Sequence, residues 1–200
     1  DFPTFFKNLC SNLQFPNGSQ KIQTVLERIN NDIKIKPLCY VIALLDYARK
    51  QSQNILLTKQ EIGYYVLNNL DVLQGHVDVN SVYDQILADR KQKVKRYNLS
   101  GSHDWQHIKE QFNLLDLSNI TITDDKHIWL NNAEDGAIQI FIDKLAEPLF
   151  DLSTYNLSMK EDKKQMYADW EKFYGQFDDR FRTILPVFGT ETKASDIIKE

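Results

Sequence analysis

The chain has 200 residues, of which 42% are apolar, 12% aromatic and 26% charged. That composition describes a globular domain with an adequate core and excludes a disordered chain. With 24 Lys and Arg against 28 Asp and Glu, the net charge is −4, which excludes a uniformly basic nucleic-acid coat. Only Cys10 and Cys39 are present, so a disulfide scaffold and a cysteine-based zinc cluster are excluded. Charge is uneven: residues 1–123 carry 14 basic and 12 acidic side chains, whereas residues 124–200 carry 10 and 16. A local basic face in the first part is therefore compatible with an acidic whole.

Residues 1–18 are aromatic-rich and end in Pro16-Asn17-Gly18, a turn signal. Ile22, Val25, Leu26 and Ile29 follow at i, i+3, i+4, i+7 and predict a short amphipathic helix. Pro37 opens a second helix to residue 51, with Leu38, Val41, Ile42, Leu44, Leu45 and Ala48 on more than one face; it is expected at the centre of the fold. Ile55-Leu56-Leu57 reads as a short strand. Thr58 and Glu61 form a capping-box pattern, with Leu57 and Ile62 as its hydrophobic staple, and start a helix that runs to about Asn69. Another helix spans about 80–96, with Val82, Ile86 and Val94 near one face and the run Arg90-Lys91-Gln92-Lys93-Val94-Lys95-Arg96 at its end.

Trp105, Ile108, Phe112 and Leu115 recur at helical spacing over 103–117. Ile120–Thr123 and Lys126–Leu130 flank Asp124-Asp125 and predict a β-hairpin. Asn131 or Asn132 caps a further helix with Ile138, Phe141, Ile142 and Leu145 inward and Pro148 beyond its end. Residues 149–157 read as a linker. Ser158 and Glu161 suggest a second capping box, followed by an aromatic stripe from Met166 through Tyr167, Trp170, Phe173 and Tyr174 to Phe177.

Helix, short strand, helix, helix and hairpin occur in the order of a winged helix. The expected architecture is mostly α with a small β-hairpin: a winged-helix (helix-turn-helix) core with added helices. Residues 1–32 would be an N-terminal helical extension, 33–148 the winged-helix domain, and 149–200 a C-terminal helical segment or second subdomain. The helix at 103–117 takes the recognition position, and the one at 80–96 is an addition within the motif.

Two runs carry a family resemblance. Lys36-Pro37 through Leu44-Leu45, then Leu57-Thr58-Lys59-Gln60-Glu61-Ile62, resembles the DNA-recognition regions of type II restriction endonucleases. So does the segment from Trp105 to Leu117 followed by a hairpin that ends Ile128-Trp129-Leu130-Asn131. The resemblance spans roughly residues 33–145. It implies a bacterial, cytoplasmic restriction–modification protein in which this chain reads sequence while an attached nuclease module, using Mg2+, cuts. It implies no catalytic residue and no cofactor for this chain itself.

On that reading, Gln106, His107, Lys109, Glu110 and Asn113 lie opposite the apolar face of their helix and are the candidate base contacts. Gln and Asn pair with adenine, Lys with guanine, and Glu with the cytosine amino group. Arg90, Lys91, Lys93, Lys95, Arg96 and Lys126 are the candidate phosphate contacts. Any solvated helix also shows such a polar face, and a basic helix end also answers the helix dipole.

Two other readings compete. One is a protein-interaction winged helix with the aromatic C-terminal helix as its interface. The other is a small Mg-dependent nuclease built on 178–193, where Asp179, Glu191 and Lys193 imitate an acid-x-Lys metal site. His103 and His107 are four apart but lack an evident third ligand, and the glycines do not cluster into a phosphate loop. No apolar run approaches the length of a membrane span. The opening Asp1-Phe2-Pro3 has no Met and no signal pattern, and reads as the start of a fragment or processed form.

Overall fold

A computed structural model of the chain describes residues 2–13, 35–52, 54–94, 103–151, 154–156 and 158–175. These fall into two compact units, one of residues 2–13 and 35–149, the other of 150–175. The helix expected over 22–29 lies outside the described residues.

The first unit contains α1 (Phe2–Asn12), α2 (Pro37–Gln51), β1 (Leu57–Thr58), α3 (Lys59–Ile62), α4 (Leu70–Leu73), α5 (Val79–Lys91), α6 (His103–Leu117), β2 (Thr121–Thr123), β3 (His127–Leu130) and α7 (Asp135–Asp143). Short 3-10 turns, Asn132–Glu134 and Lys144–Ala146, flank α7. The class is mostly helical with a three-stranded antiparallel sheet in the order β1-β3-β2. Among the described residues, no helix is long and apolar enough to cross a membrane.

α2 is the central element, as its two-sided apolar pattern requires. Pro37 opens it, and Leu38, Val41, Ile42, Leu44, Leu45 and Ala48 are all buried. It packs against α1, α5, α7 and β3. Burying each such Leu or Ile stabilises the fold by about 1.5–3 kcal/mol relative to exposure. α1 belongs to the same unit. Cys39 Sγ donates to the Ser11 carbonyl at 3.1 Å, and Lys144 Nζ donates to Asn12 Oδ1 at 3.0 Å. Burial pushes the thiol pKa of Cys10 upward and that of Cys39 up to about 12, so both thiols are packing groups.

Lys36 is buried at the start of α2, and its ammonium meets Glu147 at 3.2 Å. Lys144 reaches the same carboxylate at 3.2 Å. Burial acts to raise the Glu147 pKa, but hydrogen bonds from Lys144 and Lys36 outweigh it and hold the carboxyl below its usual range. At the other end of α2, Arg49 bonds Asp46 at 2.8 Å and Asp135 at 2.9 Å. These contacts tie α2 to both ends of α7.

The capping box at Thr58 forms as its spacing predicts: the Glu61 N–H donates to Thr58 Oγ1 at 3.1 Å, and the Thr58 N–H donates to Glu61 Oε2 at 2.8 Å. The helix it starts does not run uniformly to Asn69. It is α-helical to Ile62, continues as a π-helix over Gly63–Leu67, and Asn69 then caps the separate α4. The helix expected over 80–96 ends earlier, at Lys91, and Val94 is exposed, not on the buried face with Val82 and Ile86.

The hairpin has the register Thr121↔Leu130, Ile122↔Trp129 and Thr123↔Ile128, and β1 pairs as Leu57↔Ile128 and Thr58↔His127. Alternation buries Ile128 and Leu130 and leaves His127 and Trp129 half-exposed on the other face.

The second unit contains α8 (Lys160–Gly175). Its start differs from the expected Ser158–Glu161 box. The Ser158 hydroxyl donates to Asn156 Oδ1 at 2.5 Å, and the Asn156 N–H donates to Asp162 Oδ2 at 2.8 Å. Of the aromatic stripe, Met166 is buried. The side chains of Tyr167, Trp170, Phe173 and Tyr174, and all of Phe177, lie outside the described residues.

Candidate nucleic-acid interface

α6 forms because Ile108, Phe112 and Leu115 return at helical spacing, and all three are buried. Lys109, Glu110 and Asn113 are exposed, so the polar face stands where the pattern puts it. The Lys109 ammonium lies 5.8 Å from the Trp105 ring centroid. Gln106 and His107 lie on the same helix, but their side chains are outside the described residues. Asp116, the next-to-last residue of α6, accepts hydrogen bonds from Thr121 at 3.1 Å and Thr123 at 2.8 Å. One carboxylate therefore latches the helix to the first strand of the hairpin.

The hairpin turn has its own internal clamp. Asp124 Oδ1 accepts from the backbone N–H of Lys126 at 2.7 Å and of His127 at 2.5 Å, and its other oxygen lies 3.1 Å from His127 Nδ1. These bonds, first the backbone and ring of His127 and then Lys126, pull the Asp124 carboxyl down to about 2. Lys126 is left exposed at the tip.

Arg90 sits apart from the other expected phosphate contacts. Its Nε donates to Glu61 Oε1 and its Nη2 to Glu61 Oε2, both at 2.6 Å, and Nη2 also reaches the Leu56 carbonyl at 2.8 Å. The guanidinium is committed to the protein. Lys91 and Lys93 are exposed, whereas Lys95 and Arg96 lie outside the described residues.

Lys93 has φ 53, a left-handed conformation that disfavours side chains. It ends α5 in a Schellman pattern, with Val94 N–H donating to the Asp89 carbonyl at 2.9 Å and Lys93 N–H to the Arg90 carbonyl at 3.1 Å. α4 ends in the same pattern with Gly75, the residue this geometry favours, at φ 76. At the end of α5 a lysine stands in that place.

Ion pairing divides the cations of this unit in two. Lys7, Lys36, Arg49, Lys50, Arg90 and Lys144 each pair with a carboxylate. Among the described residues, Lys59, Lys91, Lys93, Lys109 and Lys126 pair with none. Lys59 is the residue that the sequence reading did not single out. A signal for it existed: it follows the capping Thr58 directly, in a first helical turn where the dipole favours acids. The backbone N–H of Lys59 donates to the Lys126 carbonyl at 2.8 Å, so the start of α3 and the hairpin turn are adjacent.

No group of three or more His, Cys, Asp or Glu side chains among the described residues is placed to hold a metal ion. Asp179, Glu191 and Lys193 lie outside the described residues. A cleft of about 860 Å³ is lined by the end of α2, β3 and the chain before α3, but its cations Arg49 and Lys50 are already paired with Asp46 and Asp135.

The geometry thus defines a mostly helical domain whose small antiparallel sheet is latched to a polar-faced helix, with unpaired lysines around the hairpin and the β1–α3 junction. The chain belongs to the family described as restriction endonuclease BpuJI, N terminal, whose model matches residues 1–171. A solved structure similar to it is the BpuJ1 endonuclease binding domain, crystallised in complex with pyrene- and phenanthrene-modified DNA. The two share 35% sequence identity with a TM-score of 0.74, over 87% of this chain and 64% of that one. This chain therefore spans less than two-thirds of the solved relative's length. No curated protein matches.

Proposed function

We propose that this chain is a sequence-specific duplex-DNA recognition module of a restriction endonuclease, built as a winged helix and doing no chemistry itself. α6 offers a polar face to the major groove, the β2–β3 hairpin is the wing, and the unpaired lysines outside α6 meet phosphates. The sheet order β1-β3-β2, with α6 leading straight into β2 through the Asp116 latch, carries this reading. The DNA bound to the solved relative supports it. Arg90 leaves the phosphate set and becomes a structural residue, while Lys91, Lys93, Lys95, Arg96 and Lys126 stay in it. Gln106, His107, Lys109, Glu110 and Asn113 are the base-reading candidates. Strand cleavage and the Mg2+ it uses belong to an attached nuclease module of a cytoplasmic parent enzyme.

Selection of bound duplexes from a randomised pool, followed by a salt titration, tests the proposal. The expected result is enrichment of one short sequence, with affinity falling steeply as salt rises. No enrichment together with salt-insensitive binding would overturn it in favour of the protein-interaction reading.

A further inference from the structure

We propose that Lys59 and Lys126 together form a clamp for the sugar-phosphate backbone of duplex DNA, at the junction of the α3 start and the β2–β3 turn. The inference rests on the duplex-binding reading above and assigns one of its subsites. The strand pairing ends at Thr58↔His127, and one residue further on Lys59, the first residue of α3, donates its N–H to the Lys126 carbonyl at 2.8 Å. The two lysines therefore leave adjacent backbone positions, where like charges repel. Lys59 also opposes the dipole of its own helical turn. Two unfavourable placements of positive charge thus coincide, and among the described residues neither lysine has a carboxylate partner. A phosphate anion between them relieves both.

The acids closest in sequence do not satisfy the pair. Asp124 is occupied by the turn N–H groups and His127, and Asp125 is exposed at the tip. The junction is also held in place. Glu61 and Arg90 bind the Thr58 N–H and the Leu56 carbonyl, fixing β1 immediately before Lys59. Arg90 comes from the last turn of α5, so α5 ends beside the outer edge of β1, with Lys91 and Lys93 exposed just beyond.

The test uses the whole 200-residue chain and a pool of randomised duplexes, with affinity measured between about 50 and 200 mM salt. The double variant Lys59→Gln, Lys126→Gln should reduce the slope of log affinity against log salt by about 0.9, the value for the one phosphate that the two lysines share, and each single variant by less. Loss of that contact corresponds to roughly an eightfold loss at 0.1 M salt relative to 1 M. The selected sequence should not change, because phosphate contacts carry no base information. The double variant Lys59→Arg, Lys126→Arg should retain the slope. If the wild type binds with a steep slope and the double glutamine variant keeps it, the clamp is wrong while the DNA reading survives. If the wild type shows no salt-dependent duplex binding, the DNA reading fails and the clamp fails with it.

Discussion

Arg90 grips both carboxylate oxygens of Glu61 at 2.6 Å, and the pair closes the outer edge of β1. Residues 56 and 58 direct their backbone polar groups to the edge away from β3, because alternate residues of a strand face alternate sides. Arg90 donates to the Leu56 carbonyl there, and Glu61 accepts from the Thr58 N–H. An unpaired edge invites pairing with another chain. Here two side chains stand in for the missing strand, and the same Glu61 completes a helix cap.

Removing Arg90 leaves a nearly buried carboxylate without its cation. Arg90→Ala should therefore lower stability by about 1–3 kcal/mol in urea unfolding. Glu61→Ala should cost a similar amount, since it removes the cap as well. The two losses should be strongly non-additive, because each variant breaks the same network. The salt slope of DNA binding should be unchanged in Arg90→Ala once the protein is folded; a drop of one phosphate contact would return Arg90 to the DNA surface.

Base reading and phosphate binding should separate by substitution. Asn113→Ala and Gln106→Ala should shift the preferred sequence, each losing about 1–3 kcal/mol of discrimination at one position. Lys93→Glu should weaken all duplexes alike. Comparing selected pools with total affinities distinguishes the two effects. Uniform weakening by Asn113→Ala would remove it from the base-reading face.

Features set by neighbours in sequence were legible in it. The Thr58–Glu61 box, the apolar stripe of α6, the central α2 and the hairpin all follow from spacing within one or two turns, and all form. The α4 cap was equally local, at Asn69 with Asp71 and Val72, but the apolar run around it favoured a continuous helix. What the sequence hid depends on distant partners. A basic run at a helix end gives no hint that Arg90 turns inward to Glu61 and Leu56, or that Lys59 meets Lys126. Ion pairing then separates structural from unpaired cations, which composition cannot do.

The turn at Asp124 should show itself in acid. Its carboxyl is pulled down to about 2, below the value of about 4 expected in an unfolded chain. A depressed folded value means the native state binds fewer protons, so the stabilisation is complete above about pH 4 and disappears as pH falls through about 2. The stability difference between wild type and Asp124→Asn, followed by urea midpoints, should therefore shrink across that interval. A difference that stays constant from pH 5 to pH 2 would show that the carboxylate does not hold the turn.

Lys93 offers the sharpest separation of stability from binding. Its left-handed backbone costs a side chain of this type about 1 kcal/mol relative to glycine, while the motif it completes, at Val94 and Asp89, needs only the backbone. Lys93→Gly should therefore raise thermal stability, since α4 tolerates Gly75 in the same geometry. The same substitution removes an unpaired cation, so DNA affinity should fall and the salt slope should drop by about 0.9. Opposite signs on the two axes are expected only if the lysine is kept for its charge. Lys93→Asn, which also suits the left-handed region, should reproduce both changes. If Lys93→Gly is more stable yet binds duplexes with an unchanged slope, the end of α5 lies off the DNA and the cationic surface ends at Lys59 and Lys126.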